Sequence, residues 1–123
     1  PEALGGKPER GREYFERAWG LRKDDFMKVL LACYEARDGD AEAARRLLAE
    51  IEPSPASWYN LACTHALLGE RDRALEYLKL DLESDRHTPA TLARQKRWAR
   101  KDPDLAALHA DERFRALVGA DGE

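Results

Sequence analysis

The chain has 123 residues, 37% of them charged, and a formal net charge of −3. That is the size of one domain with one continuous core, and its charge gives no overall attraction to nucleic acid or to an anionic membrane. No apolar run approaches the ~20 residues that cross a bilayer, so no membrane insertion is expected. Mean hydropathy is low, −0.71, but the apolar residues recur at helical intervals, which argues against a disordered chain. The chain opens at Pro1 and holds one methionine, Met27. The expectation is therefore a chain whose natural start is missing, either cytoplasmic or periplasmic. Cys33 and Cys63 are too far apart for a CxxC pair and too few for a disulfide scaffold.

After a short leader, Pro8–Leu21 reads as a helix with Pro8 at its first position and Gly11, Phe15 and Ala18 on one face. Asp25–Arg37 is a strongly apolar helix carrying Phe26, Val29, Leu30, Cys33 and Tyr34. Gly39 and Asp40 turn it into Ala41–Ile51. Pro53 and Pro55 break that helix, with Ser54 as the expected N-cap of the next. Ser57–Leu82 then forms a helical hairpin. Trp58, Leu61, Ala62, His65 and Leu68 make one stripe, and Ala74, Leu78 and Leu82 the facing one. Gly69 between them accepts the left-handed backbone that ends a helix. Thr88 caps Pro89–Lys101, a basic helix with Arg94, Lys96, Arg97, Arg100 and Lys101. Asp102, Pro103 and Asp104 stop it and cap a short turn through Leu108. Asp111–Val118 closes the chain, with Phe114, Leu117 and Val118 turned inward. Trp58 and Trp98 are expected as core anchors, and Trp19 as half exposed.

Small or apolar residues return at the same offsets after Gly6, Gly39 and Gly69, which argues repetition. Trp58-x2-Leu61-Ala62-x2-His65, followed by Gly69 and Ala74-x3-Leu78, resembles the tetratricopeptide repeat. Three positions depart from it: Ala62 replaces a glycine, His65 an aromatic residue, and Asp81 a small alanine. The resemblance implies an all-α fold, an α-α superhelix of stacked antiparallel hairpins. It would hold about three repeats and about seven helices in one domain over residues 1–123. Trp58 to Leu92 spans one full period, so Pro89–Lys101 is expected to continue the stack. The segment from Asp102 to Leu117 is similar to the one that closes bacterial arrays of this kind. A weaker resemblance links the N-terminal half, through Gly6, Phe15 and Ala18, to the T-component proteins of TRAP-type solute transport. Those are helical-repeat partners of a periplasmic substrate-binding protein.

No catalytic motif or phosphate loop is present, so no enzyme activity and no cofactor are expected. Cys63 and His65 are two apart on one helix and point about 200° from each other, so no metal site is expected. Acidic pairs sit at helix starts, where the helix dipole accounts for them. In the resembled fold the first helix of each pair lines a concave groove. Here those positions are Phe26, Val29, Cys33, Ala36 and Arg37, then Tyr59, Cys63, Ala66 and Leu67, then Ala93, Arg97, Arg100 and Lys101. The resulting expectation is a non-catalytic scaffold for a protein or peptide with an apolar anchor and an acidic end. Tyr59, Arg97 and Arg100 would carry most of the contact. A carboxylate clamp is not expected, since only Asn60 matches one. The rivals are an accessory subunit of solute uptake, a small-molecule or enzyme site in the groove, self-association through Phe15–Trp19, and a basic face that is simply solvated.

Overall fold

The computed structural model describes residues 23–119. The helix expected over Pro8–Leu21, with Trp19, lies outside them. The described residues are all-α, six α-helices and one 3-10 helix with no strand. The α-helices are α1 (Lys23–Arg37), α2 (Ala41–Leu48), α3 (Trp58–Leu67), α4 (Arg71–Leu82), α5 (Pro89–Lys101) and α6 (Glu112–Val118). The 3-10 helix, Pro103–Leu108, joins α5 to α6. Among the described residues, no helix is long and apolar enough to cross a membrane.

Two glycines make the hairpins. Gly39 and Gly69 have φ of 93° and 83°. Each follows its helix and closes it with two backbone bonds, Gly39 to Ala36 and Asp40 to Glu35, then Gly69 to Ala66 and Glu70 to His65. That pattern satisfies carbonyls the helix end would leave bare. Asp40 then caps α2 by accepting the Ala43 amide at 3.0 Å. Thr88 caps α5 reciprocally: it accepts the Thr91 amide at 3.1 Å and donates its own amide to Thr91 Oγ1 at 2.8 Å.

The core runs from α1 through α3 and α4 to the C-terminal segment. Cys33, Ala62, Cys63, Ala66, Ala74, Leu78, Leu105, Leu108, Phe114 and Val118 form one cluster. Ala62 and Ala74 leave no accessible surface, and as small residues they let α3 and α4 approach closely. His65 fills its aromatic slot, stacked on Tyr77 with ring centroids 5.6 Å apart. Asp81, where a small residue was expected, instead accepts Gln95 Nε2 at 2.9 Å and ties α4 to α5.

Several expectations need correction. Helix α2 ends at Leu48, so Ile51 lies in the connection. Helix α3 starts at Trp58. Ser54 and Ser57 instead lock a turn: Ser57 Oγ accepts the Ser54 amide at 3.0 Å and donates to the Ser54 carbonyl at 2.9 Å. Trp58 is partly buried, whereas Trp98 is 49% exposed and is no core anchor. The 3-10 helix, rather than α5, packs against α3, and its Asp104 also reaches α1. Helix α5 packs on α4, α6 and the 3-10 helix.

Candidate functional site: a closed groove and an open cleft

The groove expected along α1 and α3 is filled by the chain itself. Asp102 ends α5 and caps the 3-10 helix, its Oδ1 accepting the Asp104 amide at 2.9 Å. Its other oxygen accepts the Tyr59 hydroxyl at 2.8 Å and lies 3.7 Å from Cys63 Sγ. Asp104 receives Arg37 as a fork, Nε to Oδ1 at 3.0 Å and Nη2 to Oδ2 at 2.8 Å. Cys33 Sγ lies 3.9 Å from the same carboxylate and 3.3 Å from Arg37 Nη2. Two i, i+4 pairs, Cys33 with Arg37 and Tyr59 with Cys63, thus face two carboxylates set two residues apart. Forked Arg–carboxylate bonds are directional as well as strong, so they fix where the 3-10 helix sits.

The chemistry of these groups follows from burial. Desolvation pushes the Cys63 thiol well up, and the nearby Asp102 charge adds to it. Burial raises the Cys33 thiol too. The Tyr59 phenol is likewise raised, by burial first, then by the neighbouring Cys63 and by its hydrogen bond to Asp102. All three stay protonated as neutral donors to the carboxylates, and a protonated thiol is neither a nucleophile nor a ready metal ligand. Cys63 Sγ and the Asp102 and Asp104 oxygens do lie within 4.8 Å of one another. Those oxygens already accept Tyr59, Arg37 and a backbone amide, so the set reads as a hydrogen-bonded lock.

Beside the lock lies an open cleft of about 400 Å³. Phe26 comes from α1, Pro55 and Ala56 from the connection, Tyr59 and Asn60 from α3, and Thr91 and Gln95 from α5. Asp81, Ser84, Arg86 and His87 complete the rim. His87 sits between Thr91 Oγ1, at 3.1 Å from its Nδ1, and Asp81, at 3.8 Å from its Nε2. Gln95 is held by Asp81. The side-chain amide of Asn60 has no hydrogen-bond partner among the described residues, and its backbone carbonyl accepts the Thr64 hydroxyl at 2.8 Å. Helix α3 supplies both Tyr59 and Asn60 to the cleft, and the Tyr59 hydroxyl reaches on to Asp102 in the lock. A second cleft, of about 680 Å³, lies between α5 and α6 and is floored by Leu82, Leu92 and Leu117.

The expected partner residues therefore separate. Phe26 and Tyr59 share the open cleft. Val29, Cys33, Ala36, Cys63 and Ala66 are buried, and Leu67 is partly buried against the core. Arg37 is engaged with Asp104. Arg97 lies two residues past Gln95, about 200° around α5 from the cleft. Arg100 donates to the Val118 carbonyl and so fastens α6. Ala93, Arg97 and Lys101 are exposed on the outer face of α5. Sequence reasoning missed Asp102, Asp104 and Gln95 as the partners of these residues. The signal was there in part: two carboxylates around a proline, facing two i, i+4 donor pairs. Comparison of the chain with protein-family models, curated proteins and solved structures returns no match.

Proposed function

We propose that this chain is a non-catalytic interaction module that takes a peptide segment of a partner protein into the Phe26–Tyr59–Asn60 cleft. The observation that carries this reading is the Asn60 side-chain amide, which has no protein partner among the described residues and lines one cleft with Phe26 and Tyr59. An amide of that kind offers two donors and an acceptor, which match the backbone of an extended peptide. The aromatic floor takes one apolar side chain, and a cleft of this volume is at the small end of ligand sites. Main-chain bonds would then supply affinity and the floor would supply selectivity.

A peptide-display selection on the whole chain tests it. Selected sequences should share one apolar residue, and Asn60→Ala should weaken them about tenfold, the ~1.4 kcal/mol of one good hydrogen bond. Enriched peptides that bind Asn60→Ala and Phe26→Ala as tightly as the parent would overturn the reading.

One observation favours a second reading, self-association. Leu31 and Tyr34 on α1 are 45% and 57% exposed. They stand eight and five residues before Gly39, as the buried Leu61 and Thr64 stand before Gly69. Sedimentation at two concentrations decides this reading: a mass that rises with concentration in the parent but not in Tyr34→Glu supports it, and a constant monomer mass removes it.

A further inference from the structure

The outer face of α5 gathers cations around an exposed indole. Elsewhere many cations are paired, Arg37 with Asp104, Arg45 with Glu70, Arg73 with Glu76, and Arg113 with Asp72 and Asp111. Arg46, Arg71, Arg86 and Arg115, which have no ion pair among the described residues, do not flank an exposed tryptophan on one helix. Arg94, Arg97 and Lys101 have no ion-pair partner among the described residues, and α5 contains five basic residues and no acidic one. Arg94 and Lys101 lie four residues before and three after Trp98, so all three share one stripe. Trp98 exposes half its surface in the middle of it. A bulky indole left half wet between two unpaired cations is not explained by packing, since Ala99 supplies the inward contact of that turn.

We propose that the Arg94–Trp98–Lys101 stripe docks a short acidic segment of a partner protein, two carboxylates bracketing an apolar residue. The proposal rests on the reading of the chain as an interaction module, and names a second surface and its partner chemistry. Arg94 and Lys101 are seven residues apart, about 10 Å along the helix axis. Side chains of an extended peptide alternate sides, so residues i, i+2 and i+4 face the helix together over about 13 Å; flexible carboxylates at i and i+4 reach both cations while residue i+2 rests on the indole. Charge distribution selects a short segment over a large polyanion. The chain carries −3 overall and α5 carries +5, which leaves −8 on the rest. A nucleic acid or an anionic bilayer extends beyond α5 and meets that negative field, whereas a short peptide stays within a Debye length of the stripe. The chain shows the same recognition internally, where the Arg37 guanidinium forks onto Asp104 in a segment of two carboxylates around a proline.

The test uses the whole chain and a peptide library with two glutamates fixed four positions apart, one apolar residue midway between them and randomised flanks. The probe set is completed by a 20-nucleotide single-stranded DNA and by vesicles containing phosphatidylserine. Binding of acidic peptides should weaken at least tenfold in the Arg94→Glu/Lys101→Glu variant and in Trp98→Ala, with helicity unchanged, and should fall with added salt. Asn60→Ala should leave it intact, which separates this surface from the cleft. Failure of every acidic peptide to bind, or loss of binding in Asn60→Ala but not in Arg94→Glu/Lys101→Glu, overturns the proposal while leaving the cleft to be judged on its own selection. Equal or tighter binding to the DNA or the vesicles also overturns it.

Discussion

Asp102 is a carboxylate 5% exposed that accepts from Tyr59 and its own turn and touches Cys63. Removing it strands the Tyr59 hydroxyl, the Cys63 thiol and the Asp104 amide, so Asp102→Ala should lower stability by about 2–4 kcal/mol, read as a fall in the urea midpoint. Arg37 is half exposed, and Arg37→Ala should cost only about 1 kcal/mol because water screens its pair with Asp104. The thiols give an independent check. Both cysteines are buried and their thiols are raised by burial, so a thiol reagent should label them at the rate of unfolding; immediate labelling of the native chain would show the lock to be open. Glu70 gives a pH signature. Its carboxyl is held below the ordinary range, chiefly by the bond to His65 at 2.7 Å and then by Arg45. A lowered folded-state pKa adds stability above the unfolded value of about 4.3, and that stability is lost as pH falls through the folded one. The gap in melting temperature between the parent and Glu70→Gln should therefore be full near neutral pH and close in acid.

The hairpins were legible because they are local. Gly39 and Gly69 end their helices with positive φ, as the sequence implied, and Thr88 and Pro89 start α5 as expected. No atom lies within 4 Å of a Cβ built at Gly69, so Gly69→Ala carries only backbone strain and should cost about 1–2 kcal/mol in a thermal melt. What periodicity could not report was the partner of α3. Spacing from Trp58 to Leu92 pointed to α5, but the place is taken by the 3-10 helix. The contacts that put it there join residues 39 to 71 positions apart, Tyr59 to Asp102 and Cys33 to Asp104 among them. A pattern read within one helix holds no information about such pairs. The same limit explains Trp98: its size argued for the core, but its turn of α5 buries Ala99 instead.

Across the described chain the fold is one helical core, closed on its inner side by a segment of its own and left with one aromatic-floored cleft. That arrangement shortens the groove that the tetratricopeptide resemblance implied and moves the free cations to the opposite face of α5. Fold alone does not fix the ligand; the proposed reading rests on the Asn60 amide and the two aromatic rings of the cleft. The most direct check is an amide chemical-shift map of the ¹⁵N-labelled chain, titrated with the tightest display-selected peptide. The largest shifts should fall at Phe26, Asn60 and Gln95, with Cys33, Arg37 and Cys63 unmoved. Shifts centred on Arg37 and Cys63, with the Asp102 and Asp104 signals displaced, would mean that the inner groove opens and that the cleft is not the binding site.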